Sequence, residues 1–278
     1  MSGDGKRDLI VTNLSADTVS VLIGNGNGTF QAKVDYPTAS KPRSVALADV
    51  NGDKRADLVV ANGNAGTVSV LAGNGDGTFQ AKVDYQTGSR PSSVAVADVN
   101  GDDKPDVIVA NTDANTVSVL VGNGDGTFQS KVDYSIGLPY SVVIVDLNGD
   151  AKPDLAIASQ AIDVSAFLGN VTVLLGNGNG TFQASVDYPA GMASRVLVAA
   201  DVSGDGKPDL VVENSLARTV SVLIGNGDGT LQPKVAYPAG LSPRSIAVGD
   251  VTSDGGPDIV VADGESNRLI MLEATCLP

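Results

Sequence analysis

The sequence predicts an all-β protein, a β-propeller of four-stranded antiparallel blades in six repeat units. An acidic nine-residue loop recurs at residues 49–57, 98–106, 146–154, 201–209 and 250–258, a period of about 49 residues. Between the loops, short runs rich in Val, Ile and Thr alternate with clusters of Gly, Asn and Asp, and none shows helical periodicity. Four short strands at this period are typical of a propeller blade, whose two apolar faces are buried only against neighbouring blades.

The second unit shows the strands of one blade. They are predicted at residues 44–50, 57–62, 67–72 and 79–85, and the Asn-Gly-Asp-Gly sequence before the fourth supplies residues that tolerate the positive φ of a hairpin turn. The first unit lacks its first strand and the sixth ends after residues 268–272, so 22 strands are expected in six units. A six-bladed ring and a truncated seven-bladed ring both remain possible. We expect one domain over residues 1–278, with units at about 1–43, 44–92, 93–140, 141–194, 195–244 and 245–278.

Composition excludes several classes of function. With 32 acidic and 18 basic residues, a formal net charge of −14, the chain lacks the basic surface that a nucleic-acid partner needs. Histidine is absent and Cys276 is the only cysteine, which excludes histidine catalysis, histidine metal sites and internal disulfides. No apolar run reaches membrane-spanning length. The chain begins inside a clipped copy of the loop, residues 2–8, without a signal peptide, so we expect either a fragment of a longer product or a start codon assigned too late.

The repeated loop has the composition of a calcium site. Carboxylates stand at its first, fifth and ninth positions, with Asn, Ser or Thr at the third, while the seventh varies as expected if only its backbone carbonyl binds. Such oxygen-only ligands suit Ca²⁺, and the recurrence of the spacing in all five copies favours about five structural Ca²⁺ sites over plain Asp/Gly-rich turns. The predicted ligands are Asp49, Asn51, Asp53, Arg55 and Asp57; Asp98, Asn100, Asp102, Lys104 and Asp106; Asp146, Asn148, Asp150, Lys152 and Asp154; Asp201, Ser203, Asp205, Lys207 and Asp209; and Asp250, Thr252, Asp254, Gly256 and Asp258.

A family resemblance follows from these motifs. The stretch SVAVADVNGD at residues 93–102, followed by PDVIVAN at residues 105–111, resembles the FG-GAP repeat of integrin α-subunit propellers and of bacterial secreted VCBS-repeat proteins. The resemblance covers essentially the whole chain and implies a propeller with calcium in the hairpin between the first two strands of each blade. It also implies a secreted or cell-surface location. The Phe-Gly pair that precedes the first strand in this family is missing, and Thr252 and Ser253 replace the usual Asn-Gly, so we expect the last site to be the weakest.

We therefore expect a monomeric, non-enzymatic binding or adhesion scaffold whose partner is a protein or glycan on a cell surface or matrix. A carbohydrate-binding module is the alternative, and an accessory domain of a polysaccharide-acting enzyme is the third possibility, because the family includes all three classes. Every set of carboxylates is explained by a metal loop, and only the insertion at residues 161–170 breaks the repeat, so we expect no catalytic site.

Three smaller features carry open alternatives. A tyrosine closes the fourth strand of five units and either packs between blades, which we favour, or offers a platform for sugars; these are Tyr36, Tyr85, Tyr134, Tyr188 and Tyr237. The insertion is interpreted as a longer hairpin, with Ile162, Phe167 and Leu168 as a less favoured contact surface. Cys276 either joins another chain or is a tolerated tail residue, which we favour.

Overall fold

The computed structural model describes residues 1–161 and 168–273, and every regular element in these ranges is a β-strand. The chain forms two compact units, residues 1–135 and 136–278. The strands of the first unit are β1 (Leu9–Asn13), β2 (Thr18–Leu22), β3 (Val34–Pro37), β4 (Pro42–Ala48), β5 (Asp57–Asn62), β6 (Thr67–Leu71), β7 (Val83–Gln86), β8 (Pro91–Ala97), β9 (Asp106–Asn111), β10 (Thr116–Leu120) and β11 (Val132–Ser135). Those of the second unit are β12 (Pro139–Val145), β13 (Asp154–Gln160), β14 (Leu168–Leu174), β15 (Val186–Met192), β16 (Ser194–Ala200), β17 (Asp209–Asn214), β18 (Thr219–Leu223), β19 (Val235–Pro238), β20 (Pro243–Gly249), β21 (Asp258–Asp263) and β22 (Arg268–Leu272).

These strands form six antiparallel sheets, the blades of a β-propeller fold, and each sheet takes its strands in chain order. The first sheet, β1–β3, and the last, β20–β22, have three strands, and the other four sheets have four. The predicted fold class and the predicted 22 strands are confirmed for the described residues. The choice between six and seven blades stays a prediction.

Burial explains why the two middle strands carry apolar residues on both faces instead of alternating with exposed polar ones. Every residue of β5 and β6 is buried, because both faces of the sheet are covered. In the first unit, Leu58 and Val60 pack with Val19 of the first sheet, whereas Val59 packs with Val107 of the third. In the second unit β17 does the same: Leu210 lies in the core shared with β12–β15, and Val211 lies in the core shared with β20–β22.

Two of the five tyrosines, Tyr36 and Tyr85, pack between sheets. The ring of Tyr36 meets Phe79 of the next sheet edge to face at 5.5 Å, and Tyr85 meets Phe128 in the same way at 5.0 Å. The Tyr85 hydroxyl also donates to the Gly126 carbonyl oxygen, 2.9 Å away. This geometry agrees with the packing interpretation and not with an open platform for sugars.

Two predicted strands are displaced from their observed bounds. The first strand of the second sheet runs from Pro42 to Ala48, not over residues 44–50, because Val50 belongs to the acidic loop, where its amide donates to Asp57. The fourth strand begins at Val83 rather than at Phe79, which forms only an isolated bridge with Gly73. The predicted unit boundaries fall inside or beside the first strands of these sheets. Four of these first strands start at a proline, which has no N–H to donate to a sheet.

Parts of the insertion and the C-terminus lie outside the described residues, namely Ile162, Phe167 and Cys276. Leu168 is described; it begins β14 and is 55% exposed. Over residues 1–161 and 168–273, no helix has the length and apolar character to cross a membrane.

Candidate metal centres

Each acidic loop connects the first and second strands of its sheet and is folded by its own side chains. In the second sheet, the Gly52 and Lys54 amides donate to the two carboxylate oxygens of Asp49 at 2.8 and 2.7 Å. Asn51 accepts from the amide two residues on, and Asp53 does the same, both at 2.9 Å. These Asx turns place the first, third and fifth side chains on the inside of the bend. Gly52 and Lys54 have the positive φ values, +78° and +66°, that such a bend requires.

The ninth residue joins the loop to the rest of its sheet. Asp57 is fully buried, and its carboxylate accepts the Val50 amide at 3.0 Å and the Gly73 amide at 2.8 Å. Gly73 lies at the start of the connection between the third and fourth strands. The same pair of bonds is made by Asp106, Asp154 and Asp209 in the third, fourth and fifth sheets.

Burial and carboxylate repulsion both raise the pKa of the ninth aspartate in three of these loops. Burial raises the pKa of Asp57, and the negative charges of Asp53 and Asp49 raise it further. The same causes raise the pKa of Asp106 and of Asp154 in their loops. A buried carboxylate facing two others is unfavourable by itself, so a bound divalent cation would relieve both the burial cost and the repulsion.

The residues present fit a hard cation. Each predicted set offers carboxylate, amide or hydroxyl oxygens and a backbone carbonyl, with no nitrogen or sulfur ligand, as Ca²⁺ prefers. Among the described residues, no three acidic or cysteine side chains are gathered closely enough to hold an ion by themselves. The carboxylate oxygens of each loop accept hydrogen bonds from backbone amides of the same loop. An oxygen that accepts one N–H nevertheless retains a second lone pair. A Ca²⁺ site would therefore also use the third side chain and the seventh carbonyl, and the assignment stays a prediction.

The seventh side chains lie beside the fifth-position carboxylates. The distance from lysine Nζ to the nearest carboxylate oxygen is 3.6 Å for Lys104–Asp102 and 3.2 Å for Lys152–Asp150. Lys207 and Asp205 are 3.3 Å apart. These pairs are exposed and contribute little stability, so they would yield readily to a divalent ion.

The last loop differs from the others in its hydrogen bonds and in its fourth residue. Asp250 accepts the Asp254 and Gly255 amides at 3.1 and 3.2 Å, longer than the closest bonds to Asp49. The Thr252 hydroxyl donates to Asp258, and Ser253 has the positive φ of +63° that the other sheets give to glycine.

Sequence reasoning missed one residue that breaks the repeat. Glu213 occupies the fifth position of β17, where the second strands of four other sheets have Ala61, Ala110, Ala158 and Ala262. Its side chain is buried, and Oε1 has no hydrogen-bond partner among the described residues. Burial raises the pKa of Glu213 to about 7, although Arg195 and Arg244 act to lower it. A position-by-position comparison of the repeats would have found this residue from the sequence.

The FG-GAP-like repeat family matches four overlapping segments, residues 1–60, 49–109, 98–157 and 161–212. The chain belongs to this family. No curated protein shows a significant match to the chain.

Among solved structures, this FG-GAP-like repeat protein is similar to a lectin from Agrocybe aegerita that recognises non-reducing terminal N-acetylglucosamine, with a TM-score of 0.63 and 23% identity over 94% of this chain and 72% of the lectin. It is also similar to a periplasmic gluconolactonase from Pseudomonas aeruginosa, with a TM-score of 0.66 and 19% identity over 96% of this chain and 81% of that one. The exotype rhamnogalacturonan lyase YesX has a TM-score of 0.52 and 15% identity over 93% of this chain and 56% of the lyase. At these identities the similarity shows a shared fold.

Proposed function

We propose that this FG-GAP-like repeat protein is a calcium-stabilised β-propeller that acts as a non-enzymatic binding or adhesion scaffold in a secreted or cell-surface protein. The observation that carries the proposal is the recurrence of one oxygen-only ligand set in five loops, each at the same junction of its sheet. The raised pKa values of Asp57, Asp106 and Asp154 support it, because burial and, after it, the negative charges of the two other loop carboxylates raise the pKa of the buried ninth aspartate.

In this proposal the bound Ca²⁺ stabilises the folded state. Ca²⁺ would supply positive charge among the carboxylates, and the first, third, fifth, seventh and ninth residues of each loop would hold it. The ninth aspartate also bonds the connection between the third and fourth strands, so fixing the loop fixes that connection as well. Rigid sheets can then present their connecting segments to a partner with little loss of conformational entropy.

The test is calcium dependence of folding. Extracellular calcium modules bind at about 10⁻⁴ to 10⁻³ M, so 10 mM Ca²⁺ would add roughly 1.4–2.7 kcal/mol for each site. With about five sites, the melting temperature in Ca²⁺ is expected to exceed that in EDTA by ~10 °C or more. Mg²⁺ at equal concentration is the control and should stabilise less. Identical melting curves in Ca²⁺ and in EDTA would refute the proposal.

Glycan binding is the second candidate, and the similarity to the Agrocybe aegerita lectin favours it. A glycan array probed in Ca²⁺ and in EDTA separates the two candidates. Calcium-dependent binding to a defined sugar supports the glycan module, whereas no binding to any sugar supports a protein partner. The similarity to the gluconolactonase and to the lyase supports the fold of this chain and no enzymatic activity.

A further inference from the structure

A second polar cluster lies in the second unit, at the end of the sheets away from the metal loops. Strands β16 and β20 both run towards a metal loop, so Arg195 and Arg244, the second residue of each, lie at the opposite end. Strand β17 runs away from its loop, and its fifth residue, Glu213, approaches the same end. Glu213 pairs with Val196 of β16 and Val220 of β18.

The Glu213 side chain is directed towards the neighbouring sheet. Alternate residues of a strand share a face, so Glu213 points to the same side as Val211. Val211 lies in the core cluster with Ile246 of β20 and Ile259 of β21. Glu213 therefore lies between the sheet β16–β19 and the sheet β20–β22. It is 1% exposed, and its Oε1 has no partner within the described part of the chain.

Arg195 and Arg244 are both exposed residues, and the guanidinium of Arg195 lies over an aromatic ring. The Cζ atom of Arg195 lies 5.5 Å from the ring centroid of Tyr140, a cation–π distance. Both arginines act on the charge of Glu213, since each lowers its pKa against the effect of burial. Two positive charges beside one carboxyl leave the cluster suited to an anion.

Arginines and lysines are segregated in this unit. Its four arginines all lie at the end away from the metal loops, in first strands or beside the turns between second and third strands: Arg195, Arg218, Arg244 and Arg268. Its three lysines lie towards the other end, two of them in metal loops: Lys152, Lys207 and Lys234. The planar guanidinium binds a carboxylate through two parallel hydrogen bonds, which an ammonium does not match.

We propose that Arg195, Arg244 and Glu213 form a binding site for a carboxylate-bearing ligand. The ligand carboxylate lies against the two guanidiniums, and the protonated Glu213 carboxyl donates a hydrogen bond to it, which gives the buried polar group a partner. Because burial raises the pKa of Glu213 to about 7, its carboxyl is partly protonated at neutral pH. The site shares no residue with the predicted calcium ligands, so it does not rest on the proposed role of calcium.

The test uses the full chain in Ca²⁺ and compares D-galacturonate with D-galactose, which lacks the carboxylate, by ligand-observed NMR at pH 6.5. Galacturonate is expected to bind and galactose is not, and acetate is expected to compete. If acetate binds as tightly as galacturonate, the carboxylate alone is recognised; if it binds more weakly, the sugar ring contributes, and both results support the site. Equal binding of galactose and galacturonate would overturn it, as would binding of neither.

Variants locate the binding on the protein. Arg244→Ala and Arg195→Ala are each expected to weaken galacturonate binding at least tenfold, while Arg218→Ala, at the same end of the unit, leaves it unchanged. Glu213→Ala introduces the residue that four other sheets carry, so it is expected to fold, and it should weaken binding several-fold. Arg244→Lys retains the charge and should still lose most of the affinity. Unchanged affinity in both Arg195→Ala and Arg244→Ala would contradict the proposal.

Discussion

The two ends of the sheets differ in how strictly they repeat. At the end with the acidic loops, which are the proposed metal sites, carboxylates occupy the same three positions in five sheets, and the buried ninth aspartate bonds an amide of its own loop in each. At the other end, the second residue of the first strand is Arg43, Ser92, Tyr140, Arg195 or Arg244 in successive sheets. Positions that every sheet needs in order to fold are expected to repeat, whereas a site for one ligand needs different side chains in different sheets.

The second strands show the same contrast at a single position. Ala61 and Ala110 are small apolar residues that complete the core, whereas Glu213 brings a carboxyl into the corresponding place. A buried carboxyl without a full set of partners costs stability and is expected where it serves binding. Three substitutions test this division between a stabilising end and a binding end.

The largest effect is expected at the metal-loop end. Asp106→Asn alters a fully buried carboxylate that accepts the Val99 and Gly122 amides, so it should destabilise the fold by about 3 kcal/mol. It should also reduce the stabilisation by Ca²⁺. Asp125→Asn is the matched control, because Asn27 and Asn179 make the same turn contacts in other sheets. Melting curves with and without Ca²⁺ measure the stability of both variants and its dependence on Ca²⁺. Equal losses of stability in Asp106→Asn and Asp125→Asn would contradict the special role of the buried ninth aspartate.

A pH-dependent effect of similar size is expected at Glu213. Its folded pKa of about 7 lies above the ordinary value of 4.5, so the folded state retains a proton that the unfolded state has lost between these values. Stability therefore falls as the pH rises from about 4.5 to 7, by roughly 3 kcal/mol in total.

Glu213→Ala should remove this dependence, so its stability relative to the wild type should rise from pH 5 to pH 8. Urea denaturation at both values measures the change, with Glu265→Ala, at an exposed residue, as the control. The same stability difference at pH 5 and pH 8 would show that Glu213 has no raised pKa.

The smallest effect is expected in the last metal loop. Ser253 has a φ of +63° where the second to fifth sheets have Gly52, Gly101, Gly149 and Gly204, all with positive φ. Ser253→Gly should therefore stabilise the chain by about 1 kcal/mol. Ser185→Gly, at an exposed residue whose φ is not positive, should give no gain. Urea denaturation measures both variants, and an equal change in stability in Ser253→Gly and Ser185→Gly would show that the loop is not strained at Ser253.

The sequence by itself determined the fold class, the family and the positions of the acidic loops. These depend on short-range patterns: β-branched runs, turn residues and carboxylates at alternate positions act within a few residues of one another. The second and third strands of the second sheet were placed to within one residue for this reason. The position of Ser253 was also readable, because it stands where the other loops have a glycine with positive φ.

The tertiary structure alone decided where Glu213 lies and what surrounds it. In the sequence it is a glutamate at a strand position where four other repeats have alanine, whereas in the fold it is buried between two sheets with an arginine from each acting on its charge. Its Oε1 is left without a partner among the described residues. Such an environment depends on which sheet faces stack, and stacking joins residues far apart in the chain, beyond the reach of any local pattern.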